Sequence, residues 1–316
     1  MHLNTSSVCI AILNWNGIKH LQYLLPTVLD AVSHYNQPCP IIVLDNQSTE
    51  GDLCWLNINY PQIETIIAPA NDYLFSYNWL LNLRKEDIVI LLNNDLRVDK
   101  NFIAPLLNHF SDPCTFAVSA KSYDWEGTVI TSGPSLFRQQ RGWCYFSFDT
   151  SMQHTSYTLF ASGGFMAVNR QKFLELGGFD RLFYPAYGED LDLSYRAWCK
   201  GWKSIYEPAS IVYHREGGSW DAGSTQRSAR LILRAHFLFH WRNLRQPVFR
   251  LKRNLYLPWL IFRKLLGKDT TWLEVYNDAR ELWKERRTEA LKNIPRINVS
   301  VLKNTCGTEV IQIDNQ

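Results

Sequence analysis

The run Asp87-Ile88-Val89-Ile90-Leu91-Leu92-Asn93-Asn94-Asp95-Leu96-Arg97-Val98-Asp99 decides the fold class. Its apolar part, Ile88 to Leu92, is unbroken and stops abruptly on Asn93, Asn94 and Asp95. A short continuous apolar run with polar flanks is the pattern of a strand buried on both faces, as in a parallel sheet covered by helices. A strand that ends on a carboxylate carries that group to the C-terminal edge of the sheet, where open α/β sheets bind ligands. Asp95 is therefore the first candidate site residue.

The same pattern recurs on the N-terminal side. Val8–Leu13 is a buried strand ending in Asn14-Trp15-Asn16-Gly17, and Pro40–Leu44 is another ending on Asp45. Between them, Leu21, Leu24, Leu25, Val28, Leu29 and Val32 recur at helical spacing. Ile63–Ala68 reads as a short third strand, and residues 71–84 as loop then helix. On the C-terminal side, Phe116–Tyr123 and Gly163–Val168 read as strands, and Arg170–Leu176 as a short helix closed by Gly177-Gly178. A helix from about Leu191 to Lys200 and two short strands, Lys203–Tyr206 and Ser210–His214, complete this part. Residues 132–155 are rich in aromatics and turn formers but show no clear period. Strands alternating with helices imply an α/β fold with a mostly parallel central sheet flanked by helices.

Charge divides the chain in two. Residues 221–316 hold 18 Lys/Arg against 9 Asp/Glu, whereas residues 1–220 hold 15 against 21. The expected organisation is a catalytic domain over 1–220 and a basic, mainly helical C-terminal extension over 221–316. The seven cysteines are odd in number, scattered, and contain no Cys-x-x-Cys, which argues against a disulfide framework or a zinc site and for a reducing compartment. The first residues lack the basic n-region of a signal peptide. The longest apolar run of the extension, Leu255–Phe262, has eight residues, far short of the roughly 20 that span a bilayer.

Asn14, Asn16, Asp45 and Asp95 all lie at strand ends of one sheet, so hydrogen-bonding groups from several strands converge where a nucleotide would lie. Asp45 or Asp95 alone is equally well explained as a turn or cap residue. No Gly-x-Gly-x-x-Gly follows the first strand and no Walker loop is present, so neither dinucleotide nor P-loop binding is supported.

Five segments in order, Val8–Gly17, Val43–Thr49, Leu91–Asp95, Gly177–Asp180 with Gly188–Arg196, and Val212–His214 with Gly217–Ser219, give the chain a family likeness. Over residues 8–220 it resembles the family 2 glycosyltransferases of GT-A fold, in particular bacterial rhamnosyltransferase-like members that build cell-surface polysaccharides. The resemblance implies an inverting transfer of a sugar from a nucleotide-diphosphate donor, of dTDP-rhamnose or UDP-sugar type, to a glycan or lipid-linked glycan. It implies that Asp45 contacts the base, with Asn14, Asn16, Asn46, Ser48, Asn78 and Asn94 around the donor nucleotide. Asp95 would hold Mg²⁺ or Mn²⁺ with the help of His214. Asp190, next to Glu189, would be the general base that activates the acceptor. Phe183, Tyr184 and Tyr187 would either stack on the acceptor sugar or pack in the core.

One segment departs from the family pattern. Where members carry a glycine-rich Asn-x-Gly-Phe-Ala-x-Gly-x-Asn, this chain has Asn71-Asp72-Tyr73-Leu74-Phe75-Ser76-Tyr77-Asn78. Bulky side chains replace residues that allow close backbone approach.

Arg227–Lys268 holds eleven basic residues and no acid, interleaved with Leu, Ile, Phe and Trp. Basic amphipathic segments with aromatic anchors suit an anionic membrane surface, and no nucleic-acid motif accompanies them. The expected location is cytoplasmic, peripheral on the inner face of the cytoplasmic membrane. The plain alternative is a basic helical extension packed on the catalytic domain. Residues 272–293 read as a charged, solvated helix. Two other functions stay open: a sugar-phosphate nucleotidyltransferase, and a non-catalytic glycan- or lipid-binding scaffold of the same fold.

Overall fold

The computed structural model describes residues 6–140, 143–215, 224–245 and 247–292. Gly217–Ser219, part of the family likeness, lies outside the described residues, as does the expected domain junction near 220.

The chain runs β1 (Val8–Asn14), α1 (Ile18–Tyr35), β2 (Ile41–Asp45), α2 (Asp52–Asn59), β3 (Glu64–Ile67), α3 (Ser76–Leu83), β4 (Ile88–Asn93), β5 (Leu96–Val98) and α4 (Ile103–Asn108). It continues with β6 (Thr115–Asp124), β7 (Ile130–Ser132), β8 (Ser135–Gln140), β9 (Trp143–Phe148), β10 (Ser156–Tyr157), β11 (Phe165–Asn169), α5 (Arg170–Glu175), α6 (Glu189–Cys199) and β12 (Lys203–His214). Three helices follow: α7 (Ser224–Asn243), α8 (Pro247–Leu266) and α9 (Thr270–Ala290).

The main sheet has the order β10-β12-β6-β11-β4-β1-β2-β3, with β5 on β12 and β7 on β6. Strands β3, β2, β1 and β4 are parallel, as expected, while β11 runs antiparallel between β4 and β6, so the whole is a mixed sheet. The opening run is β4, buried from Ile88 to Leu92. Its side chains alternate between two cores: Val89 and Leu91 join Ala11, Leu44 and α3, whereas Ile88, Ile90 and Leu92 join Ile10, Val43 and the buried face of α1. Two covered faces are why no polar residue interrupts the strand.

Three local expectations change. The two strands at 203–206 and 210–214 are one strand, β12, irregular between Glu207 and Ile211. Pro208 lacks the N–H a ladder needs, and the irregularity accommodates it. The aperiodic aromatic segment contains the β8–β9 hairpin, whose Trp143 stacks on His240 of α7 at 4.2 Å. Helix α9 is not wholly solvated: Trp272, Val275 and Ala279 are buried, and Phe237 of α7 meets Trp272 and Tyr276 edge-on.

Helices α7 and α9 share the hydrophobic core that lies on the α3 and α6 side of the sheet. The contact is also ionic. Arg242 of α7, 1% exposed, faces Asp192 of α6 with Nε 3.2 Å from Oδ1 and also pairs with Asp180. Asp192 further accepts from Arg196 Nε and Asn243 Nδ2, each at 2.8 Å. Burial pushes the Asp192 carboxyl up, but Arg242, Arg196 and the hydrogen bonds outweigh it and hold it below the usual range. No helix among the described residues is long and apolar enough to cross a membrane.

Candidate active site

Asp95 lies in the tight turn between β4 and β5. Because β5 pairs with the end of β12, Leu96 lies opposite His214, and Arg215 N donates to Asp95 O at 3.0 Å. His214 Nε2 is thereby placed 3.5 Å from Asp95 Oδ2. The other carboxylate oxygen, Oδ1, is buried with no hydrogen-bond partner among the described residues. A buried, unsatisfied carboxylate oxygen beside an imidazole has the chemistry of a partial hard-cation site. Among the described residues no cluster of three or more His, Cys, Asp or Glu side chains adds to it.

A second carboxylate pair starts α6. Gly188, with φ 89°, turns the chain into the helix; a side chain there would also meet Ala235 of α7 and Phe183. Glu189 is 4% exposed and its Oε2 has no hydrogen-bond partner among the described residues, whereas Asp190 is half-buried. Asp190 Oδ1 accepts from Leu191 N at 2.7 Å and Oδ2 from Gly163 N at 3.3 Å. Burial raises the pKa of both groups. For Glu189 the Asp190 charge raises it further, while for Asp190 the backbone bonds partly offset the rise.

The two pairs belong to one site. Gly163 binds Asp190, and the next residue, Gly164, accepts from Asn93 N at 2.8 Å, two residues before Asp95. A Cβ on Gly164 would come within 2.8 Å of Asn93 Nδ2, so glycine is what lets the start of β11 close on the end of β4.

The strand-end asparagines and Asp45 form a buried network. Asn14 and Asp45 are register partners, and Asn94 Nδ2 donates to Asn14 Oδ1 at 2.8 Å. Asp45 is fully buried; it accepts from Ser48 Oγ at 2.6 Å, Ser48 N at 2.9 Å and Asn14 Nδ2 at 3.3 Å. Asn16 N donates to Ser48 Oγ at 2.8 Å, and Asn16 Oδ1 accepts from Thr49 N at 2.7 Å. The sequence reasoning missed Asp52, whose Oδ1 accepts from Asn14 Nδ2 at 2.8 Å and Gly17 N at 2.6 Å. Its position in the first turn of α2 looks like an ordinary helix-start acid. The signal available was its closeness in sequence to Asp45.

Other expected residues sit elsewhere around this centre. Asn46 holds the 71–78 loop, accepting from Ser76 Oγ and donating to Tyr73 O at 3.2 Å. Tyr77 is buried and its hydroxyl reaches Leu92 O at 2.8 Å and Ala11 O at 3.1 Å. Asn78 brackets Phe179, with both backbone N and O at 2.8 Å, and so lies beneath the loop that leads to α6. Phe183 is fully buried. Tyr184 and Tyr187 are half-buried; Tyr184 meets Tyr73 edge-on at 5.6 Å, and Tyr187 OH lies 3.1 Å from Ser228 Oγ of α7.

A family model described as glycosyl transferase family group 2 matches residues 88–273, which include Asp95, Asp190 and His214. The chain belongs to that family. This glycosyltransferase is 26% identical over 248 residues to the N-acetylglucosaminyl-diphospho-decaprenol L-rhamnosyltransferase of Mycobacterium tuberculosis, covering 69% of this chain and 77% of that protein. It is 27% identical over 136 residues to a putative polypeptide N-acetylgalactosaminyltransferase 10 of Drosophila melanogaster, covering 40% of this chain but only 22% of that relative's length. Among solved structures, the mannosyltransferase PcManGT of Pyrobaculum calidifontis, in complex with GDP-Man and Mn²⁺, superposes with a TM-score of 0.57 at 16% identity, over 92% of this chain and 81% of that one. GalNAc-T7 with UDP, GalNAc and Mn²⁺ gives 0.54 at 16% identity, over 76% and 51%. The fold is therefore the GT-A fold, with helices appended at its C-terminal end.

Proposed function

We propose that this glycosyltransferase inverts the anomeric centre as it moves a sugar from a nucleotide-diphosphate donor, of dTDP-rhamnose or UDP-sugar type, to a glycan or lipid-linked glycan in cell-surface polysaccharide synthesis. The observation that carries this is the joining of two carboxylate sites, Asp95–His214 and Glu189–Asp190, by the Gly163–Gly164 contact with Asn93. One site suits the leaving diphosphate and the other the attacking hydroxyl. The rhamnosyltransferase relative, matched over most of its length, supports the donor and acceptor class.

In this mechanism an acceptor hydroxyl attacks the anomeric carbon, the bond to the nucleotide diphosphate breaks, and Asp190 takes the hydroxyl proton. A raised pKa makes Asp190 a better base than an ordinary carboxylate, while its bonds from Gly163 N and Leu191 N fix its direction. Glu189 stays protonated beside the ionised Asp190, because burial and the Asp190 charge both oppose its ionisation. Asp95 and His214 would hold Mg²⁺ or Mn²⁺, the unsatisfied Asp95 oxygen being the fitting donor; such an ion, when bound, neutralises charge on a leaving diphosphate. The Asn14–Asp45–Asn94 network sets the turns that face the nucleotide, with Asn16, Asn46 and Ser48 on them. Asn78 braces the Phe179 loop, and Tyr184 and Tyr187, backed by Phe183, flank the acceptor side. Membership of a glycosyltransferase family disfavours the nucleotidyltransferase alternative.

The C-terminal helices extend this to a membrane surface. Leu251, Leu255, Trp259, Phe262 and Leu266 follow one another at helical spacing on α8 and are 39% to 71% exposed. Arg250, Lys252, Arg253, Arg263 and Lys264 lie on the same helix, which has no acidic residue. An apolar ridge with basic flanks fits an anionic lipid interface. Helix α7 connects it to the acceptor side, since Arg234 Nη2 donates to Tyr184 O at 2.6 Å. The proposed place is the inner face of the cytoplasmic membrane, within reach of a lipid-linked acceptor.

The test is a panel of nucleotide sugars with Mg²⁺ or Mn²⁺, read as nucleoside diphosphate released. Release with one donor and an added acceptor supports transfer. Pyrophosphate made from a nucleoside triphosphate and a sugar phosphate would point instead to nucleotidyl transfer.

A further inference from the structure

Next to the Asp95–His214 pair lies a group of residues that the chemistry above does not use. Pairing of β5 with β12 sets Arg97 opposite Tyr213. The Arg97 guanidinium lies over two rings, 4.4 Å from the centre of Trp125 and 4.9 Å from that of Tyr213. Arg215, the residue after His214, lies over Trp125 at 5.1 Å and over Tyr23 of α1 at 5.4 Å. Tyr23 and Trp125 themselves meet edge-on at 5.6 Å. Two cations thus share one indole, directly beside the turn that carries Asp95.

Among the described residues no carboxylate pairs with either guanidinium. Arg97 donates through Nη2 to Trp125 O, but its Nε is buried with no hydrogen-bond partner among the described residues. The Arg215 guanidinium donates to no protein acceptor among the described residues. Stacking on aromatic faces fixes a guanidinium's plane and leaves its N–H edge for an oxyanion. Like charges on one ring repel, and a bound anion would relieve both the repulsion and the unfilled donors.

We propose that Arg97 and Arg215 form an anion subsite for a diphosphate, adjoining Asp95. Its place there rests on the glycosyl-transfer reading of Asp95 for one point alone, the source of the diphosphate. That source is either the leaving group of the donor or the diphosphate of a lipid-linked acceptor, both of which offer the same oxygens to two guanidiniums.

Titration calorimetry with inorganic pyrophosphate, with and without Mg²⁺, tests the subsite without any turnover. Arg97→Gln and Arg215→Gln should each weaken binding about tenfold, and Arg→Lys at either position should recover part of it. Thermal unfolding of each variant separates loss of the subsite from loss of the fold. In steady-state assays, a raised KM for the nucleotide sugar assigns the leaving diphosphate. A raised KM for a diphosphate-bearing acceptor, but not for the same sugar without the diphosphate, assigns the lipid side. Folded glutamine variants that bind pyrophosphate as tightly as the parent, with both KM values unchanged, overturn the proposal. Arginine-dependent binding in a protein that transfers no sugar would leave the subsite standing and remove the transfer reading alone.

Discussion

His214 Nε2 stands 3.5 Å from Asp95 Oδ2, although the two residues lie more than a hundred positions apart in the chain. The antiparallel pairing of β5 with β12 makes this distance, so the pair is built into the sheet and does not depend on a mobile loop. Asp95→Ala should remove most of the metal-dependent part of donor affinity, at least tenfold, or about 1.4 kcal/mol. His214→Ala should have a smaller effect of the same kind. Calorimetry with a nucleotide sugar, with and without Mn²⁺, checks both; an Asp95→Ala protein with undiminished metal dependence would refute the assignment.

Arg242 ties α7 to α6 through a fully buried carboxylate, Asp192. Removing one partner of a buried ionic cluster leaves charge unpaired, at a cost of about 3 kcal/mol. Arg242→Ala should therefore lower the unfolding temperature by several degrees. The loss should shrink in acid, because the depressed Asp192 pKa contributes stability above its unfolded value that fades as pH falls through its folded one. An Arg242→Ala protein as stable as the parent at neutral pH would mean that α7 is not held this way.

Much of this was legible in the sequence because burial on both faces leaves a plain signature. Ile88–Leu92 had to be an interior strand, and the carboxylates at 45 and 95 had to reach one edge. What was not legible depends on partners distant along the chain. Asp52 looks like a helix-start acid until Asn14 and Gly17 are seen around it, and Arg242 looks like one of many basic residues until Asp192 lies beneath it. Pro208 made one strand look like two. The bulky residues at 71–78, where the resembled family carries glycines, do not show in the sequence where they pack; Phe75 and Tyr77 are buried, with Tyr77 bonded to the β1 and β4 backbones.

Glu189 should make stability depend on pH in the opposite sense to Asp192. Its folded pKa is raised, so its contribution is complete below the ordinary carboxylate range and is lost as pH rises through the folded value. Glu189→Gln removes the charge and keeps the shape. Its unfolding temperature relative to the parent should rise between about pH 5 and about pH 8 and level off above that. Parallel curves across that range would show that Glu189 is not held neutral by its surroundings.

The α8 ridge makes a separate prediction. Pelleting with vesicles containing anionic lipid should be strong at low salt and weaken as salt screens the basic flank. Leu255→Ser with Phe262→Ser should reduce it about tenfold or more, since each side chain contributes on the order of 1.5–3 kcal/mol when fully buried. Equal recovery of parent and variant, or no preference for anionic over neutral vesicles, would count against a lipid-facing α8.

The most direct test of the central claim is the Asp190→Asn protein, assayed for sugar transfer and for nucleotide-sugar binding in the same preparation. With Asp190 as the base, transfer should fall by about 10² to 10⁴ while donor affinity stays within about twofold of the parent. Asp190→Asn that transfers sugar at the parent's rate, or that loses donor binding in proportion to activity, contradicts the assignment of acceptor activation to Asp190.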